Sequence, residues 1–127
     1  LSQTGYLLDS QVLLWIDYEP ERLAGTPLLR LLPTAEGYVS TATAWELGIK
    51  FASNKLDLRV PVSEMVRTYG FLELPISFQH AEAAAALPYH HRDPFDRMLI
   101  AQALVEGLIL VTTDGKLLQY GVPILLV

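Results

Sequence analysis

Short apolar runs rich in β-branched residues alternate along this chain with longer stretches whose apolar positions recur every three or four residues. That order builds a mostly parallel sheet layered with helices. Strands are predicted over residues 5–9, 37–40, 73–76, 108–112 and 123–126, each bounded by glycine, proline or small polar residues. The last two read Leu-Ile-Leu-Val and Pro-Ile-Leu-Leu-Val, the continuous runs expected of largely buried strands. Helices are predicted over 11–18, 23–32, 41–51, 62–71, 77–87, 94–106 and 116–120, with breaks at Pro20 and near Gly25, a capping Ser77, a stop at Pro88, and Pro94 and Gly107 framing the sixth. The 41–51 helix carries Trp45, Leu47 and Ile49 on one broad face. Trp15 and Trp45 are both expected to pack in the core rather than to stack on bases. No repeat, low-complexity tract or linker interrupts the pattern, so residues 1–127 are expected to form a single α/β domain.

Composition narrows the class. With 127 residues, 51% of them hydrophobic, the chain is long enough for one core. The absence of cysteine removes disulfides, thiolate nucleophiles and zinc-thiolate clusters, leaving three histidines as the only nitrogen ligands. Nine basic against fourteen acidic residues give a net charge of −5, which excludes a protein that grips nucleic acid mainly by a basic surface. A nucleic-acid role would need a local, metal-assisted site. No apolar run approaches the ~20 residues that span a bilayer, and the opening Leu-Ser-Gln-Thr does not read as a leader; a soluble, cytoplasmic protein is expected. The mean hydropathy of +0.30 is high for this size and points to a dimer or permanent partner, or else to a leucine-rich core. Residues 23–32, with Leu28, Leu29, Leu31 and Leu32, are the candidate dimer or partner surface; the alternative is packing on their own sheet.

In right-handed βαβ units strand C-termini and helix N-termini meet at one sheet edge, where ligands bind. Asp9 ends the first predicted strand, Glu46 lies early in the helix after the second, Asp96 falls in the first turn of the helix before the fourth, and Asp114 follows the fourth strand. Four carboxylates converging there would raise one another's pKa unless a cation neutralised them, and an oxygen-only set suits magnesium or manganese. Each acid also has a local explanation: Asp9 as a helix cap, Glu46 as an ion pair with Lys50, Asp93 and Asp96 as residues serving a helix end, Asp114 as an Asx turn or cap. For Asp93 the cap reading is adopted. What the local readings leave unexplained is the shared edge.

The segments Leu7-Leu8-Asp9-Ser10, Trp45-Glu46-Leu47-Gly48-Ile49-Lys50, His91-Arg92-Asp93-Pro94-Phe95-Asp96-Arg97-Met98-Leu99-Ile100-Ala101-Gln102-Ala103 and Thr112-Thr113-Asp114 resemble the motifs of PIN-domain nucleases, most closely VapC-type toxins of bacterial toxin–antitoxin pairs. The resemblance covers nearly the whole chain and implies a three-layer α/β/α fold around a parallel, roughly five-stranded sheet. It implies that Asp9, Glu46, Asp96 and Asp114 form the metal-binding, catalytic set of a Mg2+- or Mn2+-dependent endoribonuclease that hydrolyses RNA to 3′-hydroxyl and 5′-phosphate ends. It implies further a homodimer and a cognate antitoxin. Two departures stand out: Ser10 occupies a place where threonine is common, preserving a hydroxyl, and no second acid directly follows Asp114, which makes that position the least secure ligand.

Ser10, Arg97 and Thr112 are candidate substrate contacts; for Arg97 the plainer reading is a helix-surface arginine. His90, His91 and Arg92 lead into the acidic helix and could touch RNA, or form only a polar loop, and their spacing does not match other metal ligands. Lys50, Lys55 and Arg59 form either a backbone-binding rim or a solvated surface. Among rivals, a receiver-type signalling domain lacks its phospho-accepting aspartate, since the third strand leads into Leu74-Pro75-Ile76-Ser77. A DNA flap nuclease lacks an arch or basic extension. A catalytically idle PIN-fold binding module acting through a protein partner remains the alternative function.

Overall fold

The computed structural model describes residues 4–127; the opening residues on which the absence of a leader was read lie outside them. Five strands, β1 (Gly5–Leu8), β2 (Glu36–Ser40), β3 (Leu72–Leu74), β4 (Ile109–Thr112) and β5 (Ile124–Leu126), form one sheet in the order β3-β2-β1-β4-β5. Every pairing is parallel, with Leu7 opposite Tyr38 on one side and Leu110 on the other. Helices α1 (Ser10–Tyr18), α2 (Leu28–Leu31), α3 (Thr41–Ala52), α4 (Val62–Tyr69), α5 (Phe78–Ala86) and α6 (Pro94–Glu106) fill the connections. Alternation along β1 sends Tyr6 and Leu8 into one core with Val12, Leu13, Leu47 and Met65, and Leu7 into a second with Leu99, Ile100 and Leu110. Two cores on opposite faces of one sheet make the three-layer α/β/α architecture that the resemblance implies. Among the described residues no helix is long and apolar enough to cross a membrane.

Local chemistry sets the element ends. Gly107 closes α6 with a left-handed backbone (φ 69°), and Ser77 caps α5 by accepting from the His80 N–H while the Ser77 N–H donates to His80 Nδ1. Gly37 sits where a Cβ would come within 2.8 Å of the Phe71 ring, so β2 approaches the start of β3 only without a side chain there.

Several expectations change. The helix predicted over 23–32 survives only as the single turn α2, flanked by 3₁₀ turns at Pro20–Leu23 and Leu32–Thr34. Pro27 holds Thr26 away from helical backbone, and the Thr26 hydroxyl donates to the Leu23 carbonyl instead. Leu23 and Leu28 are fully buried in the first core, so part of the surface assigned to partners is core; Leu29 stays exposed. Trp15 packs against that core, but Trp45 is 65% exposed because Leu47, not Trp45, is the residue that α3 turns to the sheet.

Arg97 is neither a helix-surface residue nor free to meet substrate. It is buried, its guanidinium donates to the carbonyls of Ala84, Leu87 and Pro88 at 2.9–3.0 Å and to that of His91 at 3.4 Å, and it lies over the Tyr89 ring. One side chain thereby fixes the whole turn between α5 and α6. Replacing it by alanine orphans several carbonyls around a vacated charge site, and Arg97→Ala is expected to cost about 3 kcal/mol. Arg97→Lys should recover only a minority of that, because a point charge cannot serve a fork of acceptors. Urea unfolding in EDTA measures both.

Candidate active site

All five strands point the same way, so their C-terminal ends share an edge. The chain leaves β1 toward β2 and β3 on one side and β4 and β5 on the other, which places the crevice where the strand order reverses at the ends of β1 and β4. Asp9 is the first residue beyond β1: its N–H donates to the Val111 carbonyl (3.0 Å) and its Oδ1 accepts from the Val12 N–H (2.9 Å). Asp114 follows β4, its N–H donating to Thr112 Oγ1 (3.1 Å) and its Oδ1 accepting from the Lys116 N–H (3.0 Å). Glu46 comes from the second turn of α3, Asp96 from the first turn of α6. One open cleft of about 450 Å³ is lined by Asp9, Ser10, Glu46, Asp96 and Asp114, with Lys50 and Lys55 beside them. The four acids therefore meet, each from a different chain segment.

Their local roles hold as well. Asp9, Asp93 and Asp114 cap helical turns, and Glu46 pairs with Lys50 Nζ at 3.2 Å while accepting from the Ser10 hydroxyl. Thr112 is completely buried; its hydroxyl oxygen serves the Asp114 N–H and its side chain also bonds Asp9, so it orients two acids rather than meeting substrate.

His91, which the sequence set aside as a metal ligand, joins this cluster. His91 Nε2 stands 3.4 Å from Oδ2 of both Asp96 and Asp114, and the donor atoms of these three lie within 4.8 Å of one another. The His91 N–H donates to the Tyr120 hydroxyl (2.7 Å), and its Nδ1 accepts from the Asp93 N–H (3.0 Å), which leaves the ring proton on Nε2, facing the two carboxylates. Only its position just before the Asp-Pro-Phe-Asp block hinted at this, since a loop residue carries no periodicity.

The cleft repels itself. Burial, first, and then the charges of Asp93, Asp9 and Glu46 push the Asp96 carboxyl up to about 7 against the pull of His91. Its place in the first turn of α6, where the helix dipole favours an anion, is outweighed. Burial also raises Asp9, opposed by hydrogen bonds from Thr112, Val12 and Thr113 and aided by Glu46. Carboxylate oxygens that are destabilised as anions, with one imidazole at the margin, are a donor set suited to a hard divalent ion such as Mg2+ or Mn2+.

The PIN domain family model matches residues 6–123. Ribonuclease VapC22 of Mycobacterium tuberculosis is 33% identical over 94% of this chain and 95% of its own length. VapBC2 from Rickettsia felis bound to a promoter DNA fragment superposes with a TM-score of 0.74 at 12% identity, covering 98% of this chain and 99% of that one. A toxin–antitoxin complex from Klebsiella pneumoniae gives 0.59 at 19% identity and 86% coverage of each chain.

Without divalent ions the folded state keeps a proton on Asp96 that the unfolded chain releases near 3.8, so this contribution to stability is complete below about pH 4 and is lost as pH rises through about 7. Asp96→Asn removes that slope. In EDTA the variant should melt roughly 3–8 °C above wild type at pH 8, with the gap closing toward pH 5; parallel melting curves would contradict the raised pKa.

Proposed function

Because the chain belongs to the PIN-domain family and is of its VapC type, we propose that it is a divalent-metal-dependent endoribonuclease, the toxin of a toxin–antitoxin pair acting in the cytoplasm. The observation that carries this reading is the single cleft that collects Asp9, Glu46, Asp96 and Asp114 from four chain segments. Asp9 and Asp96 are the principal residues that would hold Mg2+ or Mn2+, with Glu46 and Asp114 beside them. When bound, the ion acidifies a water and polarises the scissile phosphate. Ser10 and Lys50 fix the two oxygens of Glu46, so its carboxylate keeps one orientation. His91 Nε2–H spans Asp96 and Asp114 and holds the ends of α6 and β4 in register.

An antitoxin is the proposed partner, supported by the toxin–antitoxin complex among the structural relatives. The surface assigned to it is the apolar groove of about 580 Å³ where Leu29 and Leu32 face Ile16, Tyr69 and Phe71. This keeps the exposed part of the 23–32 segment as a docking surface. The toxin itself is proposed to act as a homodimer.

Manganese titration with RNA as substrate tests the chemistry. Wild type should cleave only with Mn2+ or Mg2+, and Asp96→Asn should lose at least about 100-fold in rate; cleavage indifferent to the substitution would assign the activity to another protein. Ser10→Ala should raise the metal concentration for half-maximal cleavage about 10-fold. Ser10→Thr, which keeps the hydroxyl on Glu46, should not.

A further inference from the structure

A second hollow of about 450 Å³ opens directly beside the acidic cleft and shares Glu46, Lys50, Lys55 and Asp93 with it. Its other wall is Ile49, Arg92 and Phe95. Two features distinguish it from ordinary surface. First, it concentrates cations in a chain of net charge −5: Lys50 is paired with Glu46, but among the described residues neither Lys55 nor Arg92 has a carboxylate within 4.0 Å. Lys55 is placed there by the backbone, since Asn54 takes a left-handed turn (φ 60°) after α3 and the Lys55 N–H returns to the Lys50 carbonyl at 2.9 Å. Second, an aromatic pair borders it, for Phe95 stands in its wall and Trp45 packs on Phe95. The two rings meet edge-to-face, centroids 5.3 Å apart and planes at 73°, and Trp45 is 65% exposed.

We propose that this hollow, with the exposed Trp45 ring on its Phe95 side, is a subsite for one nucleotide of single-stranded RNA next to the cleavage point, its base stacked on Trp45 and its phosphate held by Lys55 and Arg92. The proposal rests on the ribonuclease reading, because the shared wall makes the subsite continuous with the acidic cleft. Charge complementarity selects a polyanion over an apolar partner face. An exposed indole selects an unpaired base, since a base inside a duplex presents no face to stack. Stacking of this kind tolerates any base, so the subsite contributes affinity and strand preference rather than sequence choice.

The test is binding, separated from turnover: fluorescence anisotropy of a labelled ten-nucleotide oligoadenylate and oligouridylate with Ca2+ in place of the working ion, alongside sedimentation of each variant. Trp45→Ala should weaken both oligomers about 5- to 150-fold, the worth of one stacked base, with Trp45→Phe staying near wild type. Lys55→Ala and Arg92→Ala should each lower the slope of log affinity against log salt by about 0.7, one phosphate contact on a single strand. The assembly state should not change. Trp45→Ala binding like wild type would overturn the subsite, and so would a Trp45→Ala chain that changes sedimenting mass, because the face would then join two copies of the protein. If wild type binds RNA in this way but never cleaves it with Mn2+, the ribonuclease reading fails while the subsite stands.

Discussion

The crowding of four carboxylates into one partly desolvated cleft is the constraint around which this molecule is arranged. An isolated acid at a sheet edge would rotate into water, yet here Asp9 is pinned as the cap of α1, Glu46 is held by Ser10 and Lys50, and Asp114 is fixed by the turn after β4. Asp9 and Asp114 cannot escape without breaking a bond that also caps a helical turn, and Glu46 cannot without losing both of its partners. The cost surfaces as protonation: burial first, and then the charges of Asp93, Asp9 and Glu46, push the Asp96 carboxyl from 3.8 up to about 7. Parallel topology supplies the geometry for this, since it brings the ends of β1 and β4 side by side and opens α1, α3 and α6 at one edge.

The turn before α6 shows how structure and chemistry divide between adjacent residues. One step along a helix rotates the side chain by about 100°. Asp96 thereby faces the cleft while Arg97 faces inward, where it gathers the carbonyls of Ala84, Leu87, Pro88 and His91. That grip holds His91, whose N–H reaches Tyr120 in the 3₁₀ turn after β4 and whose Nε2 reaches both Asp96 and Asp114. The two walls of the cleft are thus joined through a residue whose position depends on a buried guanidinium. A substitution at Arg97 acts on the site through the turn, although no atom of Arg97 enters the cleft.

Five strands and the long helices were legible because the strands are short continuous apolar runs, buried on both faces as in β1, and the ends of α5 and α6 carry Ser77, Pro94 and Gly107 as punctuation. The edge position of Asp9, Glu46, Asp96 and Asp114 followed from element order alone. Illegible were the features set by tertiary packing. Trp45 has the spacing of a core residue, but α3 has Leu47, Ala42 and Thr43 to turn inward and leaves the indole outside. Arg97 reads as a surface residue on any hydropathy scale, because its burial depends on carbonyls that only the folded turn presents. The segment 23–32 has helical composition, but Gly25 and Pro27 limit it to one turn.

The local and the collective readings of the acids prove compatible rather than exclusive, and the reason is chemical. A carboxylate has two oxygens, and a helix cap or a turn consumes one. Oδ1 of Asp114 accepts from the Lys116 N–H while Oδ2 faces His91, so the same residue closes a turn and contributes to the cleft. Capping thereby orients the remaining oxygen at no further entropic cost, because the cap has already fixed the side chain. An acid at the start of a helix on the C-terminal edge of a parallel sheet is for this reason a better candidate ligand than an unbonded one, and its capping role counts toward a metal site rather than against it.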